Sequence, residues 1–198
     1  MNLSTLSRKA VAYVAGHCGV IFDCQTRKQT LLLGHRSRIR AIVVDTARTI
    51  IITAEAQDDD NDFGEGLVAV WDALTGKMLS TFCPNLGGGV MGLSLTQSGD
   101  VLAVIGGAST QQQQQLGLWG ISEGGMCYKL CQAALPSTIK ADTHTCLGFR
   151  KDPTAATYLV RGPGPLEPST FELVSTGHSS ICFWLISTMG EQKVKWSY

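Results

Sequence analysis

Five carboxylates crowd the segment DDDNDFGE: Asp58, Asp59, Asp60, Asp62 and Glu65. The alternating Asp58, Asp60 and Asp62 supply the hard oxygen ligands that a calcium loop uses. An EF-hand loop also needs Gly at its sixth position and Glu at its twelfth. Counted from Asp58, those places hold Phe63 and Ala69, and no helical periodicity flanks the segment. The segment is therefore expected to be an extended, solvated turn between two strands. A weak cation site and a contact for a basic partner are the alternatives.

Three other groupings invite chemistry. GGGVMG (87–92) matches G-x-G-x-x-G, but a dinucleotide loop must lead from a strand into a helix whose amino terminus meets the pyrophosphate. The VMGLSLTQSGD that begins at Val90 reads as a strand and a turn. Cys127, Cys131, His144 and Cys146 carry zinc-ligand chemistry without the tight paired spacing of structural sites. They are expected to be separate thiols and a histidine, and no metal or other cofactor is expected. His35 lacks an evident nucleophile and orienting acid, so catalysis is not expected. Arg36, Arg38 and Arg40 differ: alternate residues of a strand share a face. These guanidinium groups could meet an acidic partner such as a tubulin tail, or form a solvated rim. Asp58, Asp59, Asp60 and Asp62 are the matching acidic candidates for partner binding.

The bulk composition narrows the classes. The 198 residues carry 16 basic and 16 acidic side chains, so the formal net charge is zero. Nucleic-acid binders usually show a basic excess, and neither nucleic acid nor a membrane is an expected partner. The 44% hydrophobic content suffices for a core, and 22 glycines suit many tight turns. Seven cysteines, an odd number without framework spacing, read as reduced thiols. No apolar run approaches the roughly 18 residues of a membrane span. Residues 10–22 mimic a signal peptide, but Gly16, His17 and Gly19 interrupt the run and no cleavage pattern follows.

The elements that must position these groups are short strands. FDCQTRKQTLLL (22–33) aligns with WDALTGKMLSTF (71–82), matching Phe22 to Trp71, Asp23 to Asp72, Thr26 to Thr75 and Lys28 to Lys77. Further tryptophans recur at Trp119 and Trp184. Upstream, IRAIVVDTARTIIITAEA (39–56) aligns with VMGLSLTQSGDVLAVIGG (90–107), two apolar runs around a polar turn. THTCLGFRKDP (143–153) and FELVSTG (171–177) repeat the scheme, separated by the Pro/Gly-rich RGPGPLEP (161–168). Apolar runs of four to seven residues bounded by Gly, Asp, Ser or Pro predict strands. Four strands recurring every 48 to 65 residues predict the blades of a β-propeller. The expected class is all-β, a partial propeller of about three and a half four-stranded blades. Residues 1–33 would form a partial blade and 34–82 the best-patterned blade. Residues 83–133 and 134–198 would form two degenerate blades, the last carrying the insert.

LLLGHRSRIRAIVV…IIITAEA…LVAVWDALTGK resembles a WD repeat, with Gly34-His35 and Trp71-Asp72 in the expected order. The resemblance implies a hydrogen-bonded tetrad of His35, Thr53, Trp71 and an aspartate drawn from the acidic loop. The motif is degraded elsewhere: Val104 stands where Thr53 would align, and Lys140 falls near the expected histidine. Across residues 13–120 the chain is further similar to the cilia- and flagella-associated protein 251 family. The run YVAGHCGVIFDCQTRKQTLLLGH, the acidic insert, VWDALTGK and VMGLSLTQSGDVLAVIGGA carry that similarity. Members of that family are WD-repeat subunits of the calmodulin- and radial-spoke-associated complex of motile axonemes.

The resemblance implies a non-catalytic interaction scaffold of the ciliary or flagellar axoneme, near the radial spoke base. Its partners would be radial spoke and calmodulin-associated complex subunits and microtubules, with a further chain or segment continuing the propeller. The alternative is a cytoplasmic or microtubule-associated WD scaffold of another assembly.

Overall fold

The computed structural model describes residues 3–7, 9–47, 49–56, 66–107, 113–135, 142–150, 170–187 and 192–197. The acidic cluster Asp58, Asp59, Asp60, Asp62 and Glu65, Lys140 and the insert 161–168 lie outside the described residues.

Each repeat folds as an antiparallel four-stranded meander. The first comprises β1 (Leu3–Thr5), β2 (Ala10–Ala15), β3 (Cys18–Asp23) and β4 (Gln29–Leu32). The second comprises β5 (Ile39–Val44), β6 (Ile50–Glu55), β7 (Val68–Asp72) and β8 (Met78–Phe82). The third holds β9 (Val90–Leu95), β10 (Val101–Gly106), β11 (Gln115–Ile121) and β12 (Cys127–Ala134). The fourth holds β13 (Cys146–Phe149), β14 (Thr170–Thr176), β15 (Ile181–Ser187) and β16 (Gln192–Ser197). The amino-terminal unit, expected as part of a blade, has four strands, of which β1 is only three residues long. Among the described residues there is no helix.

The sheets stack in chain order, with the first strand of each, β1, β5, β9 and β13, beside that of the next. Three apolar layers hold the stack. Ala12 and Leu32 of sheet 1 meet Ile51, Ala69 and Trp71 of sheet 2. Ile52 and Val70 on the other face of sheet 2 meet Leu102, Val104 and Trp119 of sheet 3. Ala103, Ile105 and Leu118 then meet Leu173, Cys182 and Trp184 of sheet 4. Successive residues such as Ile51 and Ile52 serve opposite layers because strand side chains alternate in direction. This explains why β6 and β10 read as continuous apolar runs: a strand covered on both faces has no wet side to alternate toward. All six residues of β10 are buried.

Two irregularities recur. A bulge precedes the tryptophan in sheets 2 and 3, between Val70 and Trp71 and between Leu118 and Trp119. The extra residue, Leu79 or Leu130, lies on the partner strand β8 or β12, and such a bulge bends and twists the pair locally. Asp23 and Asp72 each accept hydrogen bonds from the backbone N–H groups two and three residues on, closing the β3–β4 and β7–β8 turns. Those bonds to the ionised form hold both carboxyls below their ordinary range.

The GGGVMG glycines form no phosphate cradle. Gly87, Gly88 and Gly89 all have positive φ and lead into strand β9. The Gly107 N–H donates to the carbonyls of Gly87 and Gly89 at 3.1 and 2.8 Å. A Cβ on Gly107 would lie 2.1 Å from the Gly88 carbonyl oxygen. The glycines are there because backbone packs directly on backbone.

Candidate functional site

The polar groups that the sequence singles out are gathered at the strand ends of sheets 2 and 4. His35 enters sheet 2 from the β4–β5 connection and is buried. Its Nε2 lies 2.6 Å from Thr53 Oγ1, and the Trp71 indole N–H donates to the same hydroxyl at 2.7 Å. Its Nδ1 lies 3.0 Å from Glu55 Oε1. A carboxylate can only accept, so Nδ1 carries the proton and the Thr53 O–H donates to Nε2. Protons thus run in one direction, from indole to hydroxyl to imidazole to carboxylate. Burial holds His35 below its ordinary pKa, and the neighbouring Glu55 opposes that shift.

The carboxylate described in this network is Glu55, the last residue of β6; the acidic-loop aspartate expected there lies outside the described residues. Strand pairing explains the reach of Glu55: it lies opposite Ile39, so its side chain meets the segment 35–37 directly. Besides His35 it accepts the N–H groups of Arg36 at 2.6 Å and Leu67 at 3.0 Å. One buried side chain therefore ties the β4–β5 connection to both sides of the 57–65 segment.

Sheet 4 carries a second network. His144 Nδ1 lies 2.7 Å from Ser175 Oγ, which also accepts the Trp184 indole N–H at 2.8 Å. His144 Nε2 lies 3.0 Å from Ser180 Oγ, and Ser180 donates to Asp142 Oδ2 at 2.6 Å. Since the Ser180 proton is committed to Asp142, Nε2–H donates to Ser180 and Ser175 donates to Nδ1. The direction is the same as in sheet 2, with the imidazole turned over and a serine interposed before the carboxylate. Asp142 also accepts the N–H groups of His178 and Ser179. The Ser180 hydroxyl and these backbone donors hold its carboxyl far below the usual range. Burial again lowers the pKa of His144.

The expectation of a degraded motif is corrected for sheet 4 alone. His144, not Lys140, is the histidine of the last sheet. The clue was present in ADTHTC, where His144 stands two residues before a strand with Ser175 and Trp184 downstream. The serine-for-threonine exchange and the long insert hid the spacing. In sheet 3 Val104 packs in the apolar layer between sheets 2 and 3, together with Trp119.

The zinc candidates are dispersed. His144 is engaged at both nitrogens, and among the described residues no three His, Cys, Asp or Glu groups converge as metal ligands. Burial pushes the thiols of Cys127, Cys131 and Cys182 up to about 11, so these cysteines hold their protons and are poor nucleophiles.

The arginines form the accessible part of the site. Arg36, Arg38 and Arg40 are all exposed and bracket the buried Ile39. Arg40 is the extra residue of a bulge between Ile39 and Ala41. The Arg38 carbonyl accepts the Ala56 N–H at 2.8 Å. Ala56 and Leu67, the described residues on either side of the acidic segment, are both tied at the end of sheet 2 where the arginines lie.

No protein-family model matches the chain. Cilia- and flagella-associated protein 251 of Tetrahymena thermophila is 33% identical over 120 residues, 60% of this chain and 11% of that protein. The protein of that name from Chlamydomonas reinhardtii is 29% identical over 123 residues, 62% of this chain and 14% of the relative. The Mus musculus protein is 29% identical over 108 residues, 53% and 8% of the two lengths. The chain thus spans a small fraction of the curated relatives it matches. In fold, a chain in the crystal structure of the mitotic checkpoint complex superposes with a TM-score of 0.62 at 17% identity. That match covers 96% of this chain and 48% of the other. The chain is a partial WD-type β-propeller, similar over a little more than half of its length to cilia- and flagella-associated protein 251.

Proposed function

We propose that the protein is a non-catalytic interaction scaffold of the motile cilium or flagellum, docked on the axoneme at the radial spoke base. The observation that carries this reading is the similarity to ciliary and flagellar relatives from a ciliate, an alga and a mammal. The geometry supports a binding role over turnover. Both tetrad-like histidines are buried and held at both ring nitrogens. What the molecule offers to solvent is a stiff set of sheets with decorated rims, and such scaffolds carry specificity in loops and exposed side chains.

His35, Thr53 and Trp71, with Glu55, act in this reading as the tetrad that stiffens sheet 2. Arg36, Arg38 and Arg40 are its basic partner-binding groups, and Asp58, Asp59, Asp60 and Asp62 its acidic ones. The acceptors suited to the arginines are acidic, such as microtubule surfaces or acidic segments of spoke and calmodulin-associated subunits. Guanidinium groups favour such partners because they engage carboxylates bidentately.

The test is a tagged copy in a flagellated cell, followed by detergent extraction and salt elution of axonemes. Retention after detergent is expected, with release at high salt as surface charge is screened. Changing Arg36, Arg38 and Arg40 together to Glu should lower the salt concentration needed for release. A diffuse cytosolic signal, absent from axonemes, would reject the axonemal reading in favour of a scaffold of another assembly.

A further inference from the structure

The turn between the last two strands of a sheet is closed in the same way three times. Its first residue donates a backbone N–H to the carbonyl of its last: Asp23 to Lys28 at 3.0 Å, Asp72 to Lys77 at 2.8 Å and Ser122 to Met126 at 2.9 Å. Lys28, Lys77 and Met126 therefore hold one place in sheets 1, 2 and 3. Each such turn packs on the last strand of the sheet before it, Gly76 against Thr30 of β4 and Gly125 against Leu79 of β8. The three places thus follow one another along a single edge of the stack. Strand β4 leads from Lys28 to the segment 35–37, so this edge is opposite the one that bears Arg36, Arg38 and Arg40. Lys28 and Lys77 are exposed, Met126 is 60% exposed, and Leu74 of the β7–β8 turn is 92% exposed. Lys77 and Met126 keep their exposure with another sheet packed on the side before them, so the place is open whatever its sheet's position in the stack. Lys9 joins this edge: its carbonyl accepts the Cys24 N–H at 2.6 Å, and its exposed ammonium acts on the Asp23 carboxylate. Among the described residues no ion pair holds Lys28 or Lys77. The neighbouring carboxylates are already engaged. Asp23 and Asp72 accept N–H groups of their own turns, and Asp45 is buried and bonded to Thr49.

We propose that this edge binds an acidic segment of a partner protein, with carboxylates on Lys28 and Lys77 and an apolar side chain against Leu74 and Met126. The argument is charge complementarity joined to exposed apolar surface. A single exposed leucine is ordinary on a protein surface. What distinguishes Leu74 and Met126 is their place on the same turns as lysines that lack an ion-pair partner. Stacked sheets lie about 10 Å apart, so the matching carboxylates are spaced by about three residues of an extended chain, which rises about 3.3 Å per residue. An anionic bilayer fits this edge less well. Asp23, Asp72 and the exposed Glu123 lie on the same turns, and a flat anionic surface must meet them, whereas a single segment passes between. The edge is separate from the arginines of sheet 2 and is tested on the isolated chain, so it stands or falls apart from the axonemal location.

Fluorescence anisotropy on the full 198-residue chain tests it, with a labelled oligoglutamate peptide ending in leucines as the probe. Binding is expected at low salt and should weaken as salt screens the lysines. Lys28→Glu with Lys77→Glu should weaken it roughly tenfold, and Lys28→Arg with Lys77→Arg should retain it. Leu74→Ser with Met126→Ser should weaken binding of this peptide and leave binding of oligoglutamate without leucines unchanged. Wild-type protein that does not bind the peptide overturns the proposal. So does binding that the double Glu variant leaves intact, since the peptide then sits elsewhere, as on the arginines. Co-sedimentation with vesicles of phosphatidylcholine and phosphatidylserine supplies the other arm. Vesicle binding without peptide binding would reject a protein partner in favour of a bilayer. Equal affinity for the peptides with and without leucines would reject the apolar contact.

Discussion

At the scale of single residues, the molecule depends on hydroxyls that serve two partners at once. Thr53 accepts from Trp71 and donates to His35, all within a buried setting. Thr53→Val keeps the shape and strands both partners, which should cost about 1–3 kcal/mol, read as a lower urea midpoint. Ser175→Ala should act likewise in sheet 4, where Ser175 holds Trp184 and His144. The histidines also set a pH dependence. Both have folded pKa values lowered from 6.5, so the unfolded chain binds more protons just below that pH. Stability from this source is complete above pH 6.5 and is lost as the pH falls below it through the lowered folded values. The lowered carboxyls Asp23, Asp72 and Asp142 contribute only further down, as pH falls below their ordinary 3.8. The urea midpoint should therefore fall between pH 7 and about pH 5, and His35→Gln with His144→Gln should flatten that slope. His35 and Trp71 were legible from Gly34-His35 and Trp71-Asp72, because their spacing is that of the repeat. Glu55 was not, because a glutamate at a strand end looks like any solvated residue until pairing places it opposite Ile39.

At the scale of elements, turns of one sheet are fitted to the outer strand of the sheet before. Gly76, in the β7–β8 turn, has φ +70°, and a Cβ there would lie 2.6 Å from Thr30 Cγ2 in β4. In the β11–β12 turn, Gly125 lies against Leu79 of β8, and its carbonyl accepts the Ser80 hydroxyl at 2.5 Å. The left-handed conformation alone costs an L-residue about 1–2 kcal/mol, and the Thr30 contact adds to it. Gly76→Ala should therefore lower stability by at least that amount. Gly124→Ala, with nothing within 4 Å of its Cβ, should change it little; thermal unfolding of the pair gives the comparison. The repeat alignment put Asp23 with Asp72 and Thr26 with Thr75 in register, the residues of the β3–β4 and β7–β8 turns. It could not show that the turns also dock adjacent sheets, because residue spacing describes one sheet at a time. The β10–β11 and β13 approaches are joined in a similarly non-local way by Gln114. Its amide donates to the Gly106 and His144 carbonyls and accepts the His144 N–H.

At the scale of the whole molecule, the described residues form a stack in which sheets 2 and 3 are covered on both faces and sheets 1 and 4 on one. Repeat stacks of this kind derive their stability from neighbour interfaces, so sheets 1 and 4 should open first. Amide exchange should be slowest in β6, β7, β10 and β11. Protection equal across all four sheets would contradict the layered account.

The amino-acid sequence by itself determined that this is a chain of short strands in a four-strand repeat, and which aromatic marks each unit: Phe22, Trp71, Trp119 or Trp184. Those properties are carried by neighbours along the chain: alternating or continuous apolarity, turn residues and spacing. Only the tertiary structure decided that Glu55 completes the network of sheet 2, and that Asp142, His144, Ser175 and Ser180 build another in sheet 4. It alone identified which faces meet in the three apolar layers. These depend on which residues meet across strands and between sheets, and burial gives a polar group its value only after that meeting is set.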